Sequence, residues 1–437
     1  MRKFKFLTLG CKVNQYESQA MRESLLREGM TEAGEEASDV VVINTCTVTG
    51  EADKANRYWV RRLRRENPHA QIIVTGCWVE RNRREVEGLA GVDLILSNQE
   101  KPELAQRIFQ GCGSPEVQSG AQPSNFRSKT EYASLQISSF QGHGRAFVKI
   151  QDGCNHACSF CKVVLARGRS RSRPLAGILE EAKRLRDAGY REIVLAGIQL
   201  GAYGRDLEPP LNLVSVLEAL SSVPGIERVR LSSIEPTDVR TELIRAMKEL
   251  PNVCPQLHIP LQSGDSEILA KMNRRYGRDF YESLINSLRN EIPDFCLSMD
   301  VMAGFPGEEE RHFEETLSLI EATRPIRVHA FPYSRREGTR AARFEDFPEP
   351  LLRRRMRRLI EFSGGVACRE KQKYIGRSFG VLVEKASSRE GLVQGHTAHY
   401  LKVYFPGSQD LIGRNVRVRL MEVSGDGILG QVEDSIE

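Results

Sequence analysis

The sequence predicts an α/β protein with an N-terminal doubly wound parallel sheet, a central partial (β/α)6 TIM-like barrel and a small C-terminal all-β barrel. Short apolar runs alternate with amphipathic stretches in the first region, as in doubly wound domains. In the second region, six strand-like runs are each followed by glycine or polar residues. We place these regions at residues 1–110, 144–368 and 370–437, with a linker at 111–143.

The composition is typical of a folded, water-soluble protein. The chain has 437 residues, of which 28% are charged, and a net charge of only +5. The N-terminus lacks the apolar length of a signal peptide, and no run reaches the ~20 apolar residues of a membrane span. We therefore expect a cytoplasmic protein with no membrane contact. Ten cysteines in such a chain indicate metal binding or catalysis rather than disulfides.

Three cysteines directly follow predicted strands of the N-terminal region. They are Cys11, Cys46 and Cys77. In a parallel sheet the residues after the strands collect at one edge, so these cysteines can converge on a metal site. A single cysteine is often an inert core residue, but three at equivalent strand ends favour ligation. The four strand candidates are Phe4–Leu9, Val40–Asn44, Ile72–Thr75 and Val92–Leu96.

The segment 111–143 is rich in Ser, Gln and Gly and has few apolar residues, and it contains Pro115 and Pro123. Such a composition favours a linker or a loose excursion. Cys112, at its start, is not expected to be a ligand.

The central region repeats a strand followed by a helical pattern six times, which predicts a barrel with its chemistry at the carboxyl ends of the strands. Because a complete barrel has eight units, six would leave it laterally open, with room for a bulky substrate. The six strand candidates are Phe147–Ile150, Glu192–Ala196, Val229–Ser232, Gln256–Ile259, Leu297–Val301 and Val328–Phe331.

A cysteine triplet follows the first of these strands. Cys154, Cys158 and Cys161 have the spacing Cys-x-x-x-Cys-x-x-Cys with no obvious fourth ligand. Structural zinc sites and ordinary ferredoxin clusters use four protein ligands, so three suggest a four-iron cluster with one open iron. The alternative is a zinc site completed by His156 or a distant cysteine.

Arginines are concentrated in three places. Arg167, Arg169, Arg171 and Arg173 alternate directly after the triplet, where they could hold phosphates. A second group, on one face of a predicted helix, fits nucleic-acid binding and solvated surface equally well; it consists of Arg57, Arg61, Arg64 and Arg65. The third group lies on an amphipathic helix at 351–360.

The last region has strand patterns broken by Gly-Ser-Asp turns. Its length suits a small barrel of the kind that binds oligonucleotides. The strand candidates are Phe379–Glu384, His399–Phe405 and Val416–Val423.

Almost the whole chain resembles the methylthiotransferase branch of the radical S-adenosylmethionine (radical SAM) enzymes. In that branch an N-terminal domain with an auxiliary three-cysteine cluster precedes a radical SAM barrel and a TRAM RNA-binding barrel. The matching motifs are Leu9–Gln15 (LGCKVNQ), Asn44–Val48 (NTCTV), Thr75–Cys77 (TGC), the Cys154 triplet, His258–Gly264 (HIPLQSG), Gly304–Glu308 (GFPGE), and Phe331–Ser334 (FPYS) followed by Gly338–Thr339.

The resemblance implies two 4Fe-4S clusters and S-adenosylmethionine as both radical source and methyl donor. The cluster on the Cys154 triplet would generate a 5′-deoxyadenosyl radical, and the cluster on Cys11, Cys46 and Cys77 would carry the sulfur that is methylated. Phe160 is implied to lie beside the adenine of the cofactor. The candidates for holding the cofactor are polar residues at strand ends, namely Gln199, Glu235, Gln262 and Asp300.

The implied partners are the anticodon loop of tRNA, a reductant such as flavodoxin or ferredoxin, and a sulfur donor. Within the branch, Gly-Cys-Lys-Val-Asn is similar to the enzymes that methylthiolate threonylcarbamoyladenosine (t6A) at C2. Relatives that act on isopentenyladenosine tRNA or on a ribosomal protein usually carry Gln-Met or Pro-Lys in place of Lys12-Val13. One departure is visible: Lys162–Leu165 replaces an aliphatic pair followed by proline and tyrosine.

Two other classes remain open. A cobalamin-dependent radical methyltransferase would also carry a doubly wound domain before the barrel, but the sequence has no Asp-x-His-x-x-Gly for a cobalt ligand. A non-catalytic iron-sulfur RNA-binding protein would use its clusters only as structural elements. Such a protein would not cleave S-adenosylmethionine after reduction.

Overall fold

Buried Val and Ile runs form a parallel five-stranded sheet at the N-terminus, with strand order β2-β1-β3-β4-β5. The computed structural model describes residues 2–34, 36–109, 132–140 and 144–433. The elements of this domain are β1 (Lys3–Thr8), α1 (Lys12–Arg27), β2 (Thr31–Glu32), β3 (Val40–Thr45), α2 (Gly50–Glu66), β4 (Gln71–Gly76), α3 (Cys77–Glu87), β5 (Leu94–Leu96) and α4 (Leu104–Phe109).

Helices cover both faces of this sheet. Met21 and Leu25 of α1 pack with Val40 and Val42 on one face. On the other face, Val60 of α2 and Trp78 of α3 pack in the cluster that contains Val41 and Ile43. Successive residues of β3 thus point to opposite, equally apolar layers, as expected for a strand buried on both sides. The predicted doubly wound sheet is confirmed.

Most of the predicted linker, including Cys112, lies outside the described residues. The described part, 132–140, is packed and not loose. Leu135, Ile137 and Phe140 are buried in the main core, and the backbone N–H of Ile137 donates to Glu181 at 3.0 Å. The alternation of these apolar residues with Gln and Ser is a weak strand-like pattern that the surrounding polar composition obscured.

The central region forms a partial barrel of six parallel strands in two sheets, β6-β9-β10 and β11-β12-β13. Isolated parallel bridges, Val229 to Val253 and Ser233 to His258, connect them. The elements are β6 (Ala146–Lys149), β7 (Gln151–Asp152), α5 (Val163–Arg167), β8 (Arg171–Ser172), α6 (Leu175–Asp187), β9 (Glu192–Ala196), α7 (Leu213–Ser221), β10 (Arg228–Leu231), α8 (Thr241–Glu249), β11 (Gln256–His258), α9 (Ser266–Lys271), α10 (Arg278–Glu291), β12 (Cys296–Ala303), α11 (Glu310–Thr323) and β13 (Arg327–Pro332).

The arginine-rich helix is longer than predicted and runs from Glu349 to Gln372 as α12. Arg355 is buried, and its guanidinium lies 2.7 Å from a carboxylate oxygen of Glu308 in the GFPGE motif. The helix therefore fixes the loop after β12 as well as leading into the last domain.

Five strands close the C-terminal barrel in the order β14-β15-β16-β18-β17. They are β14 (Ser378–Ala386), β15 (Leu392–Thr397), β16 (Lys402–Pro406), β17 (Asn415–Ser424) and β18 (Gly427–Val432). The sequence patterns identify neither β15 nor β18, because glycine interrupts both. Gly395 has a packing reason, since a Cβ there would lie 2.1 Å from the carbonyl oxygen of Leu382. Among the helices of the described residues, none has the length and apolar character needed to cross a bilayer.

Candidate metal centres and cofactor site

The N-terminal cysteines occupy the predicted sheet edge. Cys11 is the N-cap of α1, Cys46 follows β3, and Cys77 is the first residue of α3. Gly10 has φ +100°, and a Cβ there would lie 2.7 Å from Cβ of Cys46. The glycine before Cys11 therefore allows both the left-handed backbone and the close approach of Cys46.

These three thiols are close enough to interact electrostatically. Burial, with smaller contributions from Cys77 and Cys11, raises the pKa of Cys46 to about 12. Burial also raises the pKa of Cys77, whose sulfur accepts a hydrogen bond from Nε of Arg167 at 3.2 Å. Two of the cysteines stand at helix N-termini, where the backbone dipole favours a thiolate. We call Cys11, Cys46 and Cys77 the strand-end set.

The second set, Cys154, Cys158 and Cys161, lies in the irregular chain between β7 and α5 and is called the loop set. Backbone N–H groups face two of its sulfurs: His156 N lies 3.3 Å from Sγ of Cys154, and Val163 N lies 3.4 Å from Sγ of Cys161. Burial raises the pKa of Cys154 to about 12 and that of Cys161 to about 11, and neighbouring thiols contribute to both shifts. The unusual segment, Lys162–Leu165, supplies the N-cap and the first turn of α5.

The donor chemistry of both sets fits iron-sulfur clusters. Each set offers three thiols, and hydrogen bonds to the sulfurs of the loop set are of the kind that tune clusters. No group of three or more His, Cys, Asp or Glu among the described residues is arranged around a single metal ion. Cluster ligands bind different iron atoms and are spaced more widely than the ligands of one ion. The zinc alternative, completed by His156 or a distant cysteine, therefore gains no support from the residues that the structure describes.

Arg167 of α5 is buried against the strand-end set, and the prediction that it binds RNA is wrong. Only 1% of its side chain is exposed. It donates to Cys77 Sγ at 3.2 Å and to Asn14 Oδ1 at 2.6 Å, and it pairs with Glu17. The strand-end set and the helix that follows the loop set are thus joined by one guanidinium.

Arg171 and Arg173 are buried as well, so the structure does not present them to RNA. Arg171 donates to the carbonyl of Arg167 at 3.0 Å, and Arg173 pairs with Glu181 at 3.1 Å. The alternation after the triplet suggested contact with phosphates, but this segment pairs with β7 and is covered by α1 and α6. Arg169 alone of the four is exposed, and its contact with phosphate stays a prediction.

Glu17 of α1 is the centre of a buried ion cluster beneath the strand-end set. Lys101, Lys149 and Arg167 all pair with its carboxylate. Burial favours the neutral acid, but these three cations outweigh it and hold the pKa of Glu17 well below its usual value. Because Lys149 belongs to β6, the cluster also binds the first domain to the barrel.

The proposed cofactor residues gather around the loop set. Gln199 Oε1 accepts from the N–H of Asn155, inside the cysteine loop, at 3.1 Å. The Gln262 Oε1 atom is buried without a hydrogen-bond partner among the described residues, and Gln262 has φ 67°. An orphaned acceptor beside a strand end is what a ligand donor would satisfy. The individual cofactor contacts stay predictions.

Glu235 is held by a residue that the sequence motifs did not identify. Arg274 forms an ion pair with Glu235, and its guanidinium lies 5.7 Å from the ring centroid of Phe160. Phe160 also makes an edge contact with Phe305, with centroids 6.5 Å apart. Arg274 follows α9, away from any strand end, so only the three-dimensional structure brings it to the site.

Asp300 lies next to two histidines. His258 Nε2 is 3.1 Å from Asp300 Oδ1, and the ring of His329 is 5.5 Å from that of His258. Although burial raises it, contact with His258 lowers the pKa of Asp300 below its usual value. Burial, followed by repulsion from Arg327 and His258, lowers the pKa of His329 to about 4.

Family models match three parts of the chain. The Radical SAM superfamily matches residues 148–320, "Uncharacterized protein family UPF0004" matches 3–97, and the TRAM domain matches 372–429. Together with the partial barrel and the cysteine loop, these matches define the class as a radical SAM enzyme, which implies S-adenosylmethionine and one 4Fe-4S cluster.

Curated relatives match over nearly the full length. Threonylcarbamoyladenosine tRNA methylthiotransferase MtaB of Chlamydia pneumoniae is 39% identical and covers 98% of each chain. The Bacillus subtilis (strain 168) MtaB is 37% identical over 99% of this chain and 97% of its own. A tRNA-2-methylthio-N(6)-dimethylallyladenosine synthase of Clostridium novyi (strain NT) is 34% identical over 99% and 96%. The chain belongs to the radical SAM methylthiotransferase family and is MtaB-like within it.

Solved structures share the fold at low identity. The radical S-adenosylmethionine methyltransferase TsrM of Kitasatospora setae, with tryptophan substrate and a SAM analogue bound, matches with a TM-score of 0.54 and 13% identity. The match covers 76% of this chain and 73% of TsrM. The fold of about three quarters of this chain is therefore shared with a radical S-adenosylmethionine methyltransferase.

Proposed function

We propose that this enzyme converts threonylcarbamoyladenosine next to the anticodon of tRNA to 2-methylthio-threonylcarbamoyladenosine. The observation that carries the proposal is that a second three-cysteine set, in the N-terminal domain, is linked to α5, the helix after the loop set, by the contact of Arg167 with Cys77. A radical SAM enzyme that only abstracts hydrogen needs the loop set alone. A second set of three cysteines, in the N-terminal domain, supplies a place for sulfur.

The loop set would hold the cluster whose open iron binds S-adenosylmethionine, and the strand-end set would hold a second 4Fe-4S cluster. When bound, the two clusters supply reductive cleavage of the cofactor and a methylthio group for C2 of the adenine. Gln199, Gln262 and Asp300 would orient the cofactor at the strand ends. The adenine would have to reach the clusters held by the two sets, so the base would be splayed out of its stack.

Binding of the tRNA anticodon loop would use the C-terminal barrel and exposed cations. Arg61 and Arg65 of α2 are exposed and, in the described part of the chain, form no ion pair. Their neighbours Arg57 and Arg64 pair with Glu85 and Asp93. An exposed Tyr58 on the same surface could stack on a base. Turnover would also need a low-potential reductant, such as flavodoxin or ferredoxin, and a sulfur donor.

The t6A assignment has two supports. The Gly-Cys-Lys-Val-Asn motif is similar to that subfamily, and three relatives with this activity in their names are 35 to 39% identical. The dimethylallyladenosine synthase of Clostridium novyi at 34% is close behind, so its substrate is the second candidate.

The test is anaerobic incubation of the reconstituted enzyme with reductant and two tRNAs, one carrying t6A and one isopentenyladenosine, followed by mass spectrometry of the nucleosides. We expect a methylthio product from the first tRNA. Product from only the second would transfer the assignment to isopentenyladenosine, and cofactor cleavage with no methylthio nucleoside from either would reject the methylthiotransferase reaction on tRNA.

A further inference from the structure

A cavity of about 440 Å³ lies where the last barrel strand, α12 and the C-terminal barrel meet. Its lining includes Arg327 and His329 of β13 and Tyr400 of the C-terminal barrel. The volume is within the range of small-molecule sites. Because β13 is the outer strand of its sheet, the cavity lies at the lateral opening of the partial barrel.

The cavity reaches the strand edge where the cofactor candidates lie. His329 is paired in register with Asp300 on β12, and its ring lies 5.5 Å from that of His258. His258 in turn contacts Asp300 at 3.1 Å. A group bound against His329 would therefore lie next to His258 and Asp300.

Lys12, which directly follows Cys11 in the N-terminal domain, does not line this cavity but lies near it. It interacts electrostatically with Tyr400 and with His329, which both line the cavity. Lys12 is half-buried, yet its ammonium makes no hydrogen bond or ion pair to any residue that the structure describes. Lys101 and Lys149, by contrast, both pair with Glu17.

The carboxylate of Glu192 lies near Lys12 but cannot serve as the missing counter-ion of its ammonium. Glu192, which also interacts with Lys12, is already bound by Arg230 at 2.7 Å and lies 3.6 to 3.7 Å from Arg228 and Arg145. Cations therefore exceed carboxylates around Lys12. A half-buried cation without a counter-ion is costly, and an anionic ligand would remove that cost.

We propose that Lys12 and His329 bind the carboxylate at the end of the substituent on N6 of the substrate adenosine. This inference rests on the proposed function. A threonylcarbamoyl group ends in a carboxylate and a hydroxyl, whereas a dimethylallyl group is an uncharged hydrocarbon. The ammonium of Lys12 donates to the carboxylate, and a ring nitrogen of His329 bonds the carboxylate or the hydroxyl. Arg327, two residues before His329 on the same strand face, adds positive potential.

The test measures binding of the full-length reconstituted protein to synthetic anticodon stem-loops. Three probes differ only at the modified base, which is t6A, its methyl ester or unmodified adenosine. We expect wild type to bind the t6A probe about ten- to hundredfold more tightly than the ester, as for a hydrogen bond between charged groups. Lys12→Gln should abolish this discrimination, while Lys12→Arg should retain most of it. Lys183→Gln, an exposed lysine on α6, is the matched control.

His329→Ala is the second variant, because His329 is far in sequence from all six cysteines, whereas Lys12 directly follows Cys11. It should lose at least threefold of the discrimination. Iron content and reductive formation of 5′-deoxyadenosine should match wild type in all variants. Equal binding of t6A and its ester by wild type, or full discrimination in Lys12→Gln or His329→Ala, would overturn the proposal.

Product analysis separates this inference from the proposed function. If wild type methylthiolates t6A and its ester equally and binds them equally, the carboxylate site is wrong while the function stands. If wild type prefers t6A in binding but yields no methylthio product from it, the function is wrong while the site stands.

Discussion

The strand-end set and the loop set are held in different ways. The strand-end cysteines lie on regular structure, after β strands and at the starts of helices, and Gly10 is needed to let Cys46 approach. The loop cysteines lie in irregular chain and are placed by backbone bonds, such as Ser159 N to Met272 O at 2.9 Å and Cys154 N to Gly168 O at 3.0 Å.

Because the two sets are held in different ways, the geometry of each site should depend on different parts of the protein. The strand-end site relies on the sheet, on close packing at glycine and on the ion cluster of Glu17 and Arg167 between the domains. The loop site relies on a short segment that contacts residues after α9. A change in the scaffold should therefore damage the strand-end site first, and the following experiments test that order.

The largest effects should come from removing each set. Alanine at Cys154, Cys158 and Cys161 should lower both 5′-deoxyadenosine and methylthio product at least about a thousandfold, because the open iron that binds the cofactor is lost. Alanine at Cys11, Cys46 and Cys77 should abolish only the product. Wild type should hold about eight irons and each variant about four. Methylthiolation by the strand-end variant would refute the division of labour.

A smaller but still large effect is expected at the interdomain ion cluster. Glu17→Gln leaves Lys101, Lys149 and Arg167 without their shared carboxylate, which should cost about 3–5 kcal/mol in unfolding free energy. The change in unfolding free energy should be measured from the first unfolding transition in urea. Glu66→Gln, in an exposed pair with Arg62, is the control and should leave the unfolding free energy close to that of wild type.

The ion cluster of Glu17 also makes the stability of the folded protein depend on pH. Because the pKa of Glu17 is held below its usual value in the folded state, its contribution to stability is present above the unfolded pKa and is lost as pH falls through the folded pKa. Wild type should lose stability on acidification below about pH 4.5, and Glu17→Gln should show a shallower slope. Parallel slopes would contradict the assigned role of Glu17.

Much of the strand-end site was predictable from sequence, because strand periodicity and parallel topology together place residues after strands at one edge. The six barrel strands were predictable for the same reason. The burial of Arg167, Arg171 and Arg173 was not, since a charge pattern does not reveal that Glu17, Asp152 and Glu181 are the partners. Arg274 was missed because it lies outside any strand end, and β15 was missed because Gly395 interrupts its apolar alternation.

A glycine substitution tests how tightly the strand-end set is packed. Gly10→Ala requires a side chain at φ +100° and a Cβ that would lie 2.7 Å from Cβ of Cys46. We expect a cost of about 2–4 kcal/mol and a lower iron content, while 5′-deoxyadenosine formation continues. Gly29→Ala is the matched control, because Gly29 has φ +77° but nothing within 4 Å of the added Cβ. It should cost about 1–2 kcal/mol and retain all iron.

The smallest effect is expected at Arg169, the exposed member of the arginine run beside the loop set. If it contacts a phosphate of the substrate, Arg169→Gln should weaken tRNA binding by roughly fivefold and reduce the slope of log affinity against log salt by about one. Cofactor cleavage should not change, because Arg169 faces solvent while Arg167 and Arg171 face the interior. Arg245→Gln, exposed on α8 and paired with Glu249, is the control and should leave both affinity and salt slope as in wild type. An unchanged salt slope in Arg169→Gln would show that the RNA backbone passes elsewhere, and that the surface of the loop set binds no phosphate through this residue.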